Sequence, residues 1–167
     1  MSPTHRNIRD ARVYRPIAAD GVVINRERVL LVRRKAAPFK GWFALPGGYL
    51  SESETMEHCV IREVYEETGI RVIPKCIIGV YSSPRRDPRR TVSVAFYCTA
   101  RKVRLHPGSD AQCAVWLPVH EALKSRLAFD HNNILNDALG FLKAKGRSLR
   151  VRAYKNTKIN NRIRVRI

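Results

Sequence analysis

Glu63, Glu66 and Glu67 stand three and four positions apart in the run REVYEETGI. On an α-helix, positions i, i+3 and i+4 share one surface, so the three carboxylates are expected to lie together. Like charges at that spacing repel by about 0.2–0.5 kcal/mol per pair when exposed, and by more in a cleft. A cation removes the conflict. Mg²⁺ suits oxygen donors and is commonly held by one or two carboxylates together with the phosphates of a substrate. Such a cluster could support metal-assisted attack of water on a phosphorus–oxygen bond, because a metal makes bound water more acidic and takes up charge on phosphate oxygens. Glu66 and Glu67 alone would read as a solvated acidic face; Glu63 changes that reading. Arg62 points about 100° around the helix and suits bracing a carboxylate better than ligating a metal.

Charge around this segment is distributed unevenly. Glu52, Glu54, Glu57, Glu63, Glu66 and Glu67 are six of the 14 acidic residues, whereas 32 Lys and Arg give the chain a formal charge of +18. A negative site in a positive field fits a cation that bridges to an anionic ligand. Cys59, Cys76, Cys98 and Cys113 occur singly without a CxxC pair, which argues against structural zinc. No run of eighteen apolar residues is present, and the basic N-terminus lacks the apolar core of a secretory signal, so a cytoplasmic, non-membrane protein is expected.

The elements that must position the acids can be read from pattern. At 167 residues the chain fits one domain. Residues 1–17 read as a basic arm or edge strand ending near Pro16. Ala18–Ile24 and Val29–Arg33 read as strands around a polar turn. Residues 35–49, KAAPFKGWFALPGGY, are rich in Pro, Gly and aromatics and are expected to form an ordered loop without regular structure, its Gly47 and Gly48 allowing close backbone approach and Trp42 and Phe43 sealing the cleft or supporting the loop. Thr55–Thr68 reads as the helix, capped by Ser53 or a neighbour and ended by Gly69. Short strands are expected at Ile70–Ile73, Ile77–Tyr81, Thr91–Thr99 and Ala114–Leu117. A second helix from Asp130 carries the apolar stripe Ile134, Leu135, Ala138, Leu139 and Leu142. This alternation predicts an α/β domain over residues 18–145.

The segment from Gly48 to Ile70 resembles the Nudix box, G-x5-E-x7-R-E-U-x-E-E-x-G-U with U aliphatic. Gly48, Glu54, Arg62, Glu63, Val64, Glu66, Glu67, Gly69 and Ile70 meet every defining position. The resemblance implies mixed β-sheets sandwiched between helices. It also implies a divalent metal, Mg²⁺ with Mn²⁺ as the alternative. Glu66 and Glu67 would be principal ligands, Glu63 a further ligand or the positioner of the nucleophilic water, and the Gly47 carbonyl an additional ligand. Glu54 and Arg62 would form the ion pair fixing loop to helix.

The box implies a reaction class, hydrolysis of a diphosphate linkage in a nucleotide-type substrate, and leaves the substrate open. The runs GVYSSPRRDPRRTVSVAFY, FKGWFALPGGY and LAFDHNNIL resemble bacterial and archaeal ADP-ribose pyrophosphatases, with Pro84 standing fifteen residues beyond Gly69. ADP-ribose, cleaved to AMP and ribose 5-phosphate, is therefore the expected substrate. The alternatives are a nucleoside triphosphate diphosphatase acting on oxidised dGTP, and an RNA 5′-end pyrophosphohydrolase or nucleic-acid-binding regulator. Arg33, Arg34, Arg85, Arg86 and Arg89 are candidates to grip phosphate or ribose oxygens, since guanidinium matches them in bidentate fashion. Tyr81, Tyr49 or Phe39 could form an adenine platform. The sequence departs from those relatives where Gly is usual at Arg90, an acid at Ser51 and a Glu at Cys113. The last departure leaves Asp110, Glu121 or no residue to supply a carboxylate outside the box.

The extension 146–167 contains eight Lys or Arg and no acid. With the homodimer counted among expected partners, the tail is expected to serve weak polyanion or RNA association, or another subunit, and not the chemical step. Truncation after Lys145 should therefore preserve most of kcat on a small substrate while weakening RNA affinity. The salt dependence of RNA binding should become shallower by roughly 0.7–0.9 for each phosphate that the shortened chain leaves unneutralised. Loss of cooperative unfolding together with activity in the truncated protein would assign LRVRA and IRVRI to the folded core instead.

Overall fold

The computed structural model describes residues 14–105 and 114–146. Strand β1, Ile17–Asn25, runs through the middle of the sheet system. Its first part lies parallel to β6, Val92–Ala100, with Ile17 opposite Val92 and Val23 opposite Cys98. Its end turns antiparallel onto β2, Arg28–Arg33. Arg26 and Glu27 make that turn with φ of 46° and 62°, the left-handed pair that matches the twist of a two-residue hairpin. β5, Val72–Tyr81, pairs with β6, and β7, Ala114–Pro118, pairs with β2.

Alternation along the central strands sends side chains to two separate cores. Val22 of β1, Val29 and Leu31 of β2 and Ala95 of β6 face α2, Val119–Lys124, and α3, His131–Ala144. Ala19 and Val23, Leu30, Phe96 and Cys98 face α1, Met56–Thr68. The sheets are thus covered on both sides, and the mixed α/β sandwich is the arrangement that buries both faces. On α3 the buried stripe is Ile134, Leu135, Ala138 and Leu142. On α1 it is Cys59, Val60 and Val64, whereas Tyr65 is exposed and carries Arg71 over its ring at 4.8 Å.

Several boundaries differ from the sequence expectation. The loop at 35–49 contains two short strands, β3, Phe43–Ala44, and β4, Gly47–Tyr49. They form because β2 and β1 offer free backbone edges, so that Arg33 pairs with Phe43 and Ala18, Ala19 and Asp20 pair with Tyr49, Gly48 and Gly47. The two strands expected at 70–73 and 77–81 are one strand, whose register shifts at Pro74/Cys76 and Ile77/Gly79 absorb the break in pattern. α1 is capped by Thr55, whose Oγ1 accepts from His58 N at 3.3 Å, and not by Ser53. Gly69 closes the helix at φ 70° and donates to the Tyr65 carbonyl. The short helix α2 carries too brief a pattern to register in the sequence. Asp110 and Cys113, residues 1–13 and residues 147–167 lie outside the described residues.

The approach of α1 to β1 is close because Gly21 has no side chain. A Cβ there would stand 2.7 Å from Val64 Cγ2 and 3.2 Å from Val60 Cγ2. Gly21→Ala is therefore expected to cost about 1–3 kcal/mol in urea unfolding, the usual range for overpacking. Adding Val64→Ala to Gly21→Ala should cost less than Val64→Ala costs alone in the native background. A full loss from each change, summed in the double variant, would refute this packing account.

Candidate active site

The acidic face of α1 lies against β4. Gly47 N–H donates to Glu67 Oε2 at 3.0 Å. A Cβ on Gly48 would fall 2.3 Å from Glu63 Cδ and 2.4–2.5 Å from its oxygens. A Cβ on Gly47 would collide with the Ala19 carbonyl at 2.3 Å and Asp20 Oδ1 at 2.6 Å. Both positions thus demand glycine on grounds of space, and neither has a positive φ. The carbonyl of Gly48 also accepts from Cys59 Sγ at 3.7 Å, and burial pushes that thiol up to about 11.

Arg62 stands beside the acids as a brace. Its Nη2 donates to Glu54 Oε1 at 2.5 Å and to the Tyr49 carbonyl at 3.0 Å, and its Nε donates to Glu54 Oε2 at 3.0 Å. Nη1 reaches Glu63 at 2.7 Å and Glu66 at 3.1 Å. Glu54 closes the loop by accepting from Ser51 N at 2.8 Å. Hydrogen bonding to Arg62, followed by the Ser51 amide, holds the Glu54 carboxyl down at about 2. The same bonds raise the Arg62 guanidinium.

Beside Glu67 opens a cavity of about 230 Å³ lined by Asp20, Arg33, Arg34, Gly47, Phe129 and His131 among others. Behind it Arg86, 8% exposed, grips Asp130 with Nη2 at 2.8 Å and Nε at 3.1 Å from both carboxylate oxygens. Asp20 accepts from Ser93 Oγ, and Arg86 approaches Asp20 at 3.8 Å and Asp87 at 3.7 Å.

A family model described as the NUDIX domain matches residues 14–138. The chain belongs to the Nudix family. It is 42% identical, over 77% of its length and 79% of the relative's, to an ADP-ribose pyrophosphatase of Methanocaldococcus jannaschii. Among solved structures it resembles the Nudix domain of Shewanella oneidensis NrtR complexed with ADP-ribose, with TM-score 0.69 and 27% identity over 78% of this chain and 90% of that one. It also resembles a bifunctional NMN adenylyltransferase/ADP-ribose pyrophosphatase of Francisella tularensis complexed with AMP and a Mn ion. That match has TM-score 0.66 and 28% identity, covering 79% of this chain and 42% of the other. The protein is a Nudix hydrolase with the family's mixed α/β fold.

Within this Nudix site the structure gathers Gly47, Glu54, Arg62, Glu63, Glu66 and Glu67, while the candidate substrate residues divide. Arg33 and Arg34 line the cavity; Arg33 lies over the Phe43 ring at 5.0 Å and Arg34 over the Phe129 ring at 4.6 Å. Arg34 Nε donates to the Pro38 carbonyl at 2.9 Å. Arg89 is exposed and donates to Tyr49 Oη at 2.9 Å. Arg85 is exposed and does not line the cavity. Arg86 corrects the expectation of a phosphate grip: it is buried among three carboxylates, and its Nε and Nη2 are committed to Asp130. Tyr81 likewise is no open platform, because its hydroxyl donates to Asp137 Oδ2 at 2.8 Å and its ring packs on the core. Burial, followed by Asp137, raises that phenol. Phe39 is committed to an aromatic cluster, its ring centroid 5.3 Å from Trp42 and 5.0 Å from Phe129. Glu121 sits exposed on α2 beside His120 and does not line the cavity.

Sequence reasoning missed Asp20, Phe129, Asp130 and His131. An acid embedded in the apolar strand AADGVVI was a signal, since buried carboxylates are rare without partners. The LAFDHNNIL run carries a family resemblance, but nothing local in it assigns separate roles to Phe129, Asp130 and His131.

The acids are hard oxygen donors suited to Mg²⁺ or Mn²⁺. Among the described residues no group of three or more His, Cys, Asp or Glu side chains is arranged to hold a metal ion by itself. Mg²⁺ commonly takes one or two carboxylates and completes its shell with water and substrate phosphates. Burial pushes the Glu67 carboxyl up to about 8, against the Gly47 hydrogen bond that lowers it, and raises Glu63 by the same cause. A partly desolvated carboxylate such as Glu67, whose nearby positive charge is Arg34 and not a direct ion-pair partner, is what a cation would relieve. Because the folded state of the metal-free protein holds the Glu67 proton more tightly than the unfolded state, stability from this group is full below about 4.5 and is lost as pH rises through about 8. In chelator, Glu67→Gln should therefore raise Tm relative to the native protein increasingly from pH 5 to pH 8.5. A Tm difference that does not change with pH would contradict the burial of this carboxylate.

Proposed function

We propose that this Nudix hydrolase cleaves the diphosphate linkage of ADP-ribose to AMP and ribose 5-phosphate, with Mg²⁺ as the working metal and Mn²⁺ as substitute. The observation that carries the reaction is the acidic face of α1 pressed onto Gly47 and Gly48 beside the cavity. Its substrate is supported by the pyrophosphatase relative and by the ADP-ribose complex of the Shewanella domain.

In this reading Glu66, Glu67, Glu63 and the Gly47 carbonyl hold the metal. When bound, it makes water more acidic and neutralises charge on the non-bridging and leaving oxygens. The Gly47 amide fixes Glu67, and Arg62 with Glu54 ties the preceding loop to α1, so the carboxylates need little reorganisation. Glu63, packed on the flat face of Gly48, positions the attacking water. That water adds to one phosphorus and loses its proton to solvent as the bridging P–O bond breaks, and the leaving phosphate departs with the bridging oxygen. Arg33 and Arg34 face the substrate phosphates from the cavity wall. Tyr49 and Arg89 offer an exposed ring and guanidinium for the nucleoside end.

The domain division is part of the same proposal: residues 18–145 carry the chemistry, and residues 146–167 associate with polyanions or another subunit. A cytoplasmic setting is supported by the free thiols Cys59, Cys76 and Cys98. No helix among the described residues is long and apolar enough to cross a membrane.

Glu67→Gln and Glu66→Gln are each expected to lower kcat about 10²-fold or more, the range for transition-state electrostatics, with the fold intact by circular dichroism. Glu57→Gln, in the exposed first turn of α1, should change little. In a product assay across ADP-ribose, oxidised and normal dNTPs, diadenosine polyphosphates, NADH and 5′-triphosphorylated RNA, ADP-ribose should give the highest kcat/KM. A preference for oxidised dGTP with release of diphosphate would replace ADP-ribose by nucleotide sanitation, and near-normal turnover of Glu67→Gln in saturating Mg²⁺ would remove Glu67 from the metal site.

A further inference from the structure

The connection Leu45–Pro46–Gly47 joins β3 to β4 and delivers Gly47 to Glu67. Proline has no amide hydrogen, so this connection has two backbone donors. One, Gly47 N–H, goes to Glu67. The other, Leu45 N–H, goes to His131 Nδ1 at 2.9 Å, across 86 residues and inside the protein. The Pro46 carbonyl between them accepts from Gly21 N at 2.8 Å, and Ala128 N holds the adjoining Phe43 carbonyl at 2.8 Å. The start of α3 and the residues just before it therefore grip the β3–β4 connection at two points.

The imidazole is itself set in orientation. Because Nδ1 accepts a hydrogen bond, the proton sits on Nε2, and Nε2 faces Asp20 Oδ2 at 3.7 Å. Asp20 is held by Ser93 Oγ and by Arg86, which Asp130 in turn anchors at the head of α3. The other Asp20 oxygen lies where a side chain on Gly47 would be, at 2.6 Å from the ideal Cβ position. His131 is 2% exposed. A buried ring serving packing alone would not need an acceptor aimed at an amide.

We propose that His131 is a positioning residue of the metal site, acting through the Leu45 amide to place the Gly47 carbonyl and the Gly47–Glu67 hydrogen bond, with the Asp20 carboxylate facing its Nε2. This rests on the reading that Gly47 and Glu67 hold the metal. A group acting on ligand geometry from outside typically changes metal affinity by about 10–100-fold. Loss of packing alone lowers stability and leaves the affinity of the folded fraction intact.

The test compares His131→Asn, whose Oδ1 can occupy the place of Nδ1 and still accept, with His131→Leu, which fills space and cannot. Both variants remove the ring, and both are expected to lower Tm. Binding of Mn²⁺ alone, followed by electron paramagnetic resonance of the free ion, should weaken about 10–100-fold in His131→Leu. His131→Asn should retain most of the affinity. Equal weakening in the two variants, or native Mn²⁺ binding in folded His131→Leu, would overturn the proposal. If His131→Leu does not fold, ¹⁵N resonances of the native protein decide. An unprotonated Nδ1 together with a Leu45 amide protected from exchange supports the proposal, and a proton on Nδ1 or an unprotected amide refutes it. Glu67→Gln serves as the control: unchanged Mn²⁺ affinity there would overturn the metal reading and this inference with it, whereas a weakened Glu67→Gln beside a native-like His131→Leu overturns this inference alone.

Discussion

Pressing a carboxylate against backbone that has no side chain to hold it away is the constraint around which this protein is arranged. Glu67 is withdrawn from water far enough that its carboxyl rises to about 8, and the Gly47 amide is one of the few groups that replace solvent there. Withdrawal can be sustained in the charged form only with a compensating partner. A partly desolvated acid beside a cavity of about 230 Å³ is consequently a place that would gain by taking a cation, whose field is screened less where water is displaced.

Keeping α1 so close has consequences in every element that touches it. Gly48 must leave room for Glu63, Gly47 for Asp20 and the Ala19 carbonyl, and Gly21 for Val60 and Val64. Parallel pairing of β1 with β6 brings Ser93 opposite Ala18 and places Ser93 within reach of Asp20. Arg62 then neutralises the acids at the exposed rim, where Glu54, Glu63 and Glu66 share one guanidinium. Helix α3 closes the far side: its first residues supply Asp130 to Arg86 and His131 to Leu45. Phe129, at φ 58°, makes the bend that lets both side chains face inward.

Much of this was legible along the chain. Short apolar runs around a polar turn announced β1 and β2, and aromatic and β-branched content announced β6; their burial on both faces follows from these near-continuous apolar runs. The helix at α1 was readable from Val60 and Val64 and from Gly69. The grouping of the acids on one face was legible by type and spacing alone, since i, i+3 and i+4 share a helix surface in any context. Local information of this kind survives without tertiary structure because it depends only on backbone periodicity.

What the tertiary structure alone decided was which charges are free and which are spent. Arg85, Arg86 and Arg89 are equivalent in the run SSPRRDPRR, yet of the three only Arg86 is enclosed, by Asp20, Asp87 and Asp130, with its Nε and Nη2 committed to Asp130. Tyr81 is committed to Asp137, 56 residues away. The strands in the glycine-rich loop exist because β1 and β2 offer them hydrogen bonds, which no local propensity records. Asp20 and His131 gained their places beside Glu67 and Leu45 only when β1, β4 and α3 came together. Helix periodicity and turn chemistry are short-range and were written in the sequence, whereas the partner of a buried charge is chosen by long-range packing and became determinate only in the fold.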